Sequence, residues 1–588
     1  MEAVRRMMDS IKYRGPDDEG VWNDDGPGVT LGHRRLSILD LSPQGHQPMI
    51  SHSGRLAIVY NGEIYNFAEI RAELDREHAV SWHGHSDTEI ILEAMEHWGV
   101  ENALKRFNGM FALAVWDREK RSLMLARDRL GKKPLYYGWI SGGLVFGSEV
   151  RAVKAAGLGA LEVSRPAIAC LLRLNYIPAP YSIYAGVCKL PAASVVSFDA
   201  AALAGRQLPQ PAAYWSVRQA IEEGQKNAFC DEEEAKKQLD ALLTDAVGLR
   251  MVADVPLGAF LSGGIDSSVV VAYMQRQSSR PVKTYAIGFH AACNEADYAK
   301  AVAAHLGTEH TELYVTDTDV IGLIHRLPEL TDEPHGDTAV LPTYLVSQLA
   351  RKSVTVCLSG DGGDELFAGY PRYLWMQDHW LAAYRQGRYL PAGMRRGIGR
   401  ILARIRSSAR IQDLGRSWSM SGPEDVWYNF VSHCRNPGDF LAGSRDGTDG
   451  LIPGFVPLPE SIDPVQRMVY MDLVSRLPDS IVSKVDRTTM KVSLEARAPL
   501  MDYRLAEMSA RIPVSSKIRD GHGKWILRQL LYQRVPRELV DRPKKGFKMP
   551  IGDWLRGPLR DWAEDLLADD RLRREGFFQT ETVRSMWS

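Results

Sequence analysis

Two short segments carry residue types suited to binding and activating a phosphorylated substrate. Ser262-Gly263-Gly264-Ile265-Asp266-Ser267-Ser268 lies between an apolar run, PLGAFL, and a helix-patterned run, SSVVVAYMQRQ. Glycines let backbone approach phosphate oxygens with no Cβ in the way. The N–H groups then converge at a helix N-terminus, where the dipole favours negative charge. Ser262, Ser267 and Ser268 add hydroxyl donors. Asp266 would repel phosphate unless a cation sits between them, so it reads as a Mg²⁺ ligand. The segment is neither GxGxxG nor GxxxxGK(S/T), and taken alone it is equally a glycine-rich turn with a serine cap. A second segment, Ser359-Gly360-Asp361-Gly362-Gly363-Asp364-Glu365, follows the apolar run VTVCL. Strands of a parallel sheet release their loops at the C-terminal edge, where ligands bind. The two turns are therefore predicted to face one crevice, with Asp364 completing a metal site with Asp266. EF-hand ligand spacing is absent, which discounts a calcium loop.

The elements that must position these turns follow from periodicity. From about residue 232, helical and apolar stretches alternate: DEEEAKKQLDALLTDAVGLRM, PLGAFLSGG, SSVVVAYMQRQ, VKTYAIGF, EADYAKAVAAHLG, HTELYV, PTYLVSQLARKS and VTVCLSG. Near-continuous apolar strands separated by helices predict a parallel sheet covered on both faces. Residues after 370 read as mostly helical. The first part instead reads as antiparallel hairpins built from LAIVYNGEIY (56–65, turning at Asn61-Gly62), FALAVWD, SLMLARD, PLYYGWI and GLVFGSE. Helices are predicted over 66–77 and 86–99. In the latter, Ile90, Ile91, Ala94 and Trp98 share a face, and Ser86 with Glu89 forms a capping box. Around 195–225 the composition turns to Ala, Gly and Pro with little periodicity, and the domain seam is placed there. The fold class is thus α+β followed by α/β, divided as 1–160, a connecting segment 161–225, and 226–588.

Composition narrows the function classes. The chain has 588 residues, a net charge of −1 and 45% hydrophobic residues, so it is an ordinary globular protein with no global field to hold a polyanion. Neither nucleic acid nor a membrane is an expected partner. The basic stretch 394–410 reads as a solvated helix face. The six cysteines are scattered with no CxxC pair, no apolar run is long enough to span a bilayer, and the first residues hold no signal-peptide core. The reading is a cytoplasmic protein.

SGGIDSS resembles the PP-loop of ATP pyrophosphatases. SGDGGDELFAGYPRY, SLEARAPLMD, GHGKWILR and RPKKGFKMPIGDWLR resemble the synthetase half of glutamine-dependent asparagine synthetases. HRRLSILD, YNGEIYN, SDTE and ARDRLGKKPLYY resemble that family's class II glutaminase half. The motifs run from about residue 13 to 555 in the family's order.

The resemblance implies an Ntn-type αββα sandwich, lacking its first strand, followed by a doubly wound PP-loop domain with a helical end. It implies an enzyme that converts the aspartate β-carboxylate to β-aspartyl-AMP with ATP and Mg²⁺, then displaces AMP with ammonia from glutamine. The nucleotide would meet Leu261, Ser262, Gly263, Gly264, Asp266, Ser267, Ile287, Ser359 and Gly360. Asp266 and Asp364 would hold the metal. Asp361 stands where many members carry Glu, at the position linked to forming the acyl-adenylate. Lys524 matches the lysine near the α-phosphate and the leaving pyrophosphate. Lys544, Lys545 and Lys548 would form a basic loop over the site, or simply a solvated turn. In the glutaminase half, Arg35 would pair with the glutamine α-carboxylate and Asp87 with its α-ammonium. Asn61 and Gly62 match the oxyanion-hole element, and Glu63 lies in the same glutamine-contacting turn. A homodimer is compatible with the resemblance.

One departure matters. Members begin Met-Cys-Gly-Ile, and the exposed cysteine is the nucleophile. This sequence begins Met1-Glu2-Ala3, and Cys170, in the apolar stretch AIACLLRL, is its first cysteine. It is expected to be a core residue. The 588-residue polypeptide is therefore expected to use ammonia and not to hydrolyse glutamine, as a truncated sequence or as a synthetase whose glutaminase is lost. Two other functions stay open. One is an amidotransferase of the same family acting on a peptide, saccharide or β-lactam precursor, although the acid at 361 leans against β-lactam synthetase, which has tyrosine there. The other is a non-catalytic regulatory homologue, against which Asp266, Asp361, Asp364 and Lys524 weigh.

Overall fold

The computed structural model describes residues 1–78, 80–289, 295–387, 389–404, 409–443, 452–542 and 549–588. The amino-terminal half holds the strands β1 (Asp18–Asp24), β2 (Val29–Arg35), β3 (Met49–Ile50), β4 (Leu56–Ile64), β5 (Gly109–Asp117), β6 (Ser122–Arg127), β7 (Tyr136–Ile140), β8 (Gly143–Gly147), β9 (Val187–Lys189), β10 (Ser194–Phe198) and β11 (Ala212–Ala213). Six of them form an antiparallel sheet in the order β11-β10-β6-β5-β4-β3, with β1-β2 and β8-β7-β9 as smaller antiparallel sheets. Side chains alternate across a strand, so each sheet has two faces to cover. Leu56, Ile58, Tyr60, Phe111, Leu113 and Val115 pack under the helices Phe67–Glu77, Asp87–Trp98 and Val100–Arg106. The opposite residues, Ala57, Val59, Ala112, Ala114 and Trp116, meet Leu31, Leu135, Tyr137 and Leu190 of the second layer. The helices Glu2–Ser10 and Val150–Ala155 cover that layer from outside. The order is helix, sheet, sheet, helix.

Two local expectations are corrected. β4 does not turn at Asn61-Gly62 but runs on, with Asn61 opposite Ala112 and Gly62 opposite Phe111. A Cβ at Gly62 would lie 2.1 Å from the Met110 carbonyl oxygen, so glycine serves close strand approach here and not a turn. The Ser86 hydroxyl caps the Glu89 N–H, but Glu89 does not return the bond; its carboxylate accepts instead from the N–H groups of His83 and Gly84, at 2.8 and 2.9 Å. The segment 161–225, read as the connection with its seam around 195–225, adds β9, β10 and β11 to the amino-terminal sheets. Its helix Val217–Lys226 then packs on Tyr503–Arg511.

The carboxy-terminal half is built on β12 (Leu257–Phe260), β13 (Lys283–Phe289), β14 (Glu309–Val315), β15 (Val356–Leu358) and β16 (Glu495–Arg497). All pair in parallel, in the order β14-β13-β12-β15-β16. β16 is three residues with two charges, so no apolar run announced it. Strand order reverses between β12 and β15, the crevice where α/β sheets bind ligands. Both glycine-rich turns leave the sheet at that point. The basic stretch forms the helix Ala392–Arg404, packed on Ala409–Ser419, with residues 405–408 outside the described set. The halves meet through buried polar pairs: Arg14 with Asp486 at 2.8 Å, Lys133 with Asp486 at 3.2 Å, Asn108 with Asp502 at 2.9 Å and Glu63 with Arg497 at 3.1 Å.

Candidate active sites

The turn after β12 and the turn after β15 touch. A Cβ on Gly360 would lie 2.6 Å from the Ser267 nitrogen, and one on Gly363 would lie 2.4 Å from Asp266 Oδ1. Only glycine allows this approach. Gly263, at φ +70°, turns toward the helix Glu295–Leu306, where a Cβ would meet Ala299 N at 2.7 Å. Ser262 and Ser267 hold the loop to itself: Ser267 Oγ accepts the Ser262 N–H at 3.2 Å, and Ser262 Oγ accepts that of Gly264 at 3.3 Å. Ser268 differs from expectation. It is fully buried in the helix Ile265–Gln277 and does not face the cavity.

A cavity of about 370 Å³ opens over the junction, lined by Leu261, Ser262, Asp266, Ser267, Ile287, Ser359, Gly360, Asp361 and Asp364 among others. Seven of the nine residues expected to meet the nucleotide line it; Gly263 and Gly264 do not. Lys524 stands behind the wall. Its ammonium lies 2.5 Å from Asp266 Oδ2 and 2.7 Å from Asp364 Oδ1. Burial disfavours the charged amine, but the two carboxylates outweigh that and hold its pKa above the ordinary lysine value. A Cβ on Gly369 would sit 2.0 Å from Lys524 Cε, so that glycine clears the lysine's path. The two acids expected to share a metal thus already converge on one positive group.

Asp361 accepts the Ser359 hydroxyl at 2.8 Å. Burial pushes its carboxyl up, opposed by the Ser359 bond and by Lys484. Lys484 and Arg476 here had no sequence signal, whereas Tyr370 and Arg542 lie within motifs quoted above without being singled out. Lys484 lines the cavity and pairs with Asp337 at 2.7 Å; despite burial, that pairing draws the Asp337 carboxyl down to about 2. Arg476 and Tyr370 line it as well, the guanidinium 5.3 Å from the ring centre. Lys484 and Arg476 are lone residues on helices, brought in by the chain path alone, and Tyr370 caps the start of the helix Pro371–Trp375. Arg542 donates to the Ser262 carbonyl at 3.0 Å and lies over Tyr298. Lys544, Lys545 and Lys548 lie outside the described residues.

A second cavity, of about 330 Å³, lies in the amino-terminal half. Arg35, Asn61, Gly62, Glu63 and Asp87 all line it. Asn61 Nδ2 is a buried donor with no partner, as an oxyanion-hole group needs. Asp87 accepts Tyr60 Oη at 2.7 Å and the Ile64 N–H at 2.9 Å, while burial pushes its carboxyl up to about 6. Glu63 is pushed up by burial and by Asp87, with Arg497 opposing. Arg35 is more engaged than expected, donating to the carbonyls of Leu39, Asp40 and Ser42 at 3.2, 2.5 and 3.2 Å. Gln47, absent from the sequence reading, braces the wall by bonding the Tyr60 N–H at 2.7 Å and the Tyr60 carbonyl at 3.2 Å. No cysteine lines this cavity among the described residues. Cys170 is fully buried in Arg165–Leu174, and burial raises its thiol to about 11, so it is a core residue.

A space of about 20 Å³ sits at the boundary of the halves, lined by Met110, Lys132, Lys133, Ser359, Asp361, Val482, Val485, Asp486, Ala496 and Ala498. Ser359, Asp361 and Val485 also line the nucleotide-side cavity, while Glu495, next to Ala496, lines the amino-terminal one.

Residues 238–588 match the family model for asparagine synthase, and residues 1–215 match that for a glutamine amidotransferase domain. A Mycobacterium bovis protein provisionally named asparagine synthetase (glutamine-hydrolyzing) is 35% identical over 581 residues, covering 95% of this chain and 86% of its own. Asparagine synthetase (glutamine-hydrolyzing) 1 of Bacillus subtilis is 30% identical over 582 residues, covering 97% and 87%. Amidase chry2 of Gibberella zeae is 25% identical over 643 residues, covering 99% and 90%. With the two adjoining glycine-rich turns at the sheet's switch point and a glutamine amidotransferase sandwich ahead of them, this chain belongs to the asparagine synthase family of carbon–nitrogen ligases.

Proposed function

We propose that the chain makes asparagine from aspartate, ATP and ammonia, with AMP and pyrophosphate as the other products. A carboxylate is a poor electrophile until one of its oxygens becomes a leaving group. An oxygen of the aspartate β-carboxylate attacks the α-phosphorus, a new O–P bond forms, and the bond to pyrophosphate breaks. Ammonia then adds to the acyl carbon, the bond to AMP breaks, and one proton leaves the nitrogen. The observation that carries this reading is the contact of Gly360 and Gly363 with Ser267 and Asp266, which puts both turns on one cavity.

Within that cavity the work is positioning and charge neutralisation. Ser262 and Ser267 face the phosphates, and Leu261 and Ile287 supply apolar wall. Lys524, released from Asp266 and Asp364 as the polyphosphate arrives, places its charge on the transferred phosphorus and the departing pyrophosphate. The two carboxylates fit a shared cation, because they already converge on the Lys524 ammonium. Mg²⁺ held there would supply Lewis-acid neutralisation of the polyphosphate. Asp361, facing both this cavity and the small space at the boundary, is placed to accept the proton that the incoming nitrogen loses.

In the amino-terminal cavity, Arg35 and Asp87 hold the two ends of glutamine, with Asn61, Gly62 and Glu63 beside the amide. Since no thiol lines that cavity among the described residues, we propose that the 588-residue polypeptide draws on free ammonia. The test is isotope exchange between pyrophosphate and ATP, with aspartate and a panel of other carboxylates, followed by product analysis with ammonium. Exchange that depends on aspartate supports the reading. Exchange with another carboxylate alone replaces aspartate by that acceptor, the reading that the similarity to amidase chry2 favours. Exchange undiminished in Asp266→Ala overturns the site.

A further inference from the structure

We propose that His52, His83 and Glu89 form a binding site for one divalent cation of the zinc class, apart from both cavities and independent of the function proposed above. The three side chains come from three segments: the turn between β3 and β4, the loop after the helix Phe67–Glu77, and the first turn of Asp87–Trp98. His52 Nε2 lies 2.9 Å and His83 Nδ1 3.3 Å from the same oxygen, Glu89 Oε1. All three candidate ligand atoms fall within 4.8 Å of one another, and among the described residues no other group of such side chains converges this closely. A tetrahedral zinc with bonds of about 2.0–2.1 Å needs ligand atoms separated by about 3.3 Å, so the set needs little movement to close on an ion.

The surroundings hold these ligands in place. Glu89 is buried at 6% exposure, and its carboxylate is fixed by the N–H groups of His83 and Gly84. This explains why it abandons the capping box. Behind His52, Glu93 accepts the His52 backbone N–H at 3.0 Å, and its other oxygen stands 3.8 Å from Nδ1 of the ring. An outer carboxylate on the far nitrogen of a ligating imidazole fixes the ring and raises its basicity. Two imidazoles and one carboxylate favour zinc, cobalt, nickel or copper over magnesium or calcium. Both histidines are exposed, which gives an ion access and leaves its fourth position to water. A bound ion would tie the β3–β4 turn to the segment that leads into Asp87.

The experiment is titration of the chelator-treated 588-residue chain with Co²⁺, read by its visible absorption, and then displacement by Zn²⁺. A tetrahedral-type band saturating at one ion per chain is expected. His52→Ala and His83→Ala, both at exposed positions, are expected to lose it, while Glu93→Gln weakens binding by about 10–100-fold as an outer-shell change does. Mg²⁺ at the same concentration should not displace the cobalt. No band, or a band that survives unchanged in both histidine variants because cobalt sits on cysteines, overturns the proposal. Unchanged thermal melting of the two histidine variants without metal shows that loss of the band is loss of ligands and not of fold.

Discussion

Gly363 lies so close to Asp266 that any side chain at 363 would strike the carboxylate, a Cβ falling 2.4 Å from Oδ1. The contact joins the two glycine-rich turns, which sit almost a hundred residues apart in sequence. It also fixes Asp266 where Lys524 and Asp364 can reach it, so one glycine serves both shape and charge in the nucleotide-side cavity.

Gly360→Ala tests that junction. Its new Cβ would meet the Ser267 backbone nitrogen at 2.6 Å, an atom that cannot rotate aside. Overpacking of this kind costs about 1–3 kcal/mol in stability. A displacement of about 1 Å at the reacting centre costs about 100-fold in rate. ATP–pyrophosphate exchange should fall by about that factor with only a modest drop in melting temperature. Exchange within a few-fold of the parent would mean that the turns need not touch.

Lys524→Met removes a positive charge that bridges Asp266 and Asp364. Loss of a donor aimed at developing charge costs about 100- to 1000-fold in turnover. Lys524→Arg should not restore it, because a planar guanidinium does not fit a path cleared for a narrow amine by Gly369. Steady-state asparagine formation with ammonium reads both.

Burial raises the Asp87 carboxyl from 3.8 to about 6. Its neutral form is the one the fold favours, so between about pH 4 and pH 6 the folded chain holds more protons than the unfolded one. This group's contribution to stability is therefore present at low pH and falls as pH rises through that window. Charged Asp87 exists mainly above about 6, so affinity for an α-ammonium should fall by about tenfold per unit below it. Calorimetric titration with glutamine from pH 5 to 8 checks this, and Asp87→Asn should give weak binding that no longer follows pH.

Asp502 accepts hydrogen bonds from Asn108 of one half and Arg250 of the other, at 2.9 and 3.1 Å, in a fully buried position. Burial alone would raise its carboxyl, but Arg250 and Arg504 hold it far below the usual range. Its contribution is present above the unfolded value near 4 and is lost as pH falls below that. Removing one partner of a buried pair costs about 3–5 kcal/mol. Asp502→Ala should lower urea stability by about that much at pH 7, and the difference from the parent should shrink in acid.

The 588-residue polypeptide should form asparagine with ammonium and release no glutamate from glutamine, since no cysteine lines the amino-terminal cavity among the described residues and Cys170 lies fully buried. An amino-acid assay of both products decides it, and glutamate release would identify another nucleophile.

The sequence alone determined what depends on local pattern. Short apolar runs joined by polar or glycine turns pointed to the hairpins of the first half, strand–helix alternation pointed to the parallel sheet, and residue type marked Asp266, Asp361 and Asp364 as acids on two glycine-rich turns. The five residues picked out for glutamine do line one cavity, because β2, β4 and one helix end carry them there. Tertiary structure decided the rest. Asn61-Gly62 has the composition of a turn, yet pairing with β5 keeps it extended. β16 is too short and too charged to announce itself, and it becomes a strand only because β15 offers an open edge. Lys484, Arg476 and Gln47 carry no motif, and distant packing brings them to the cavity walls. Ser86 and Glu89 spell a capping box, but the carboxylate instead accepts from the N–H groups of His83 and Gly84 in the loop just before the helix, and packing brings His52 from the β3–β4 turn onto the same oxygen, so the local pattern yields where other partners occupy its atoms.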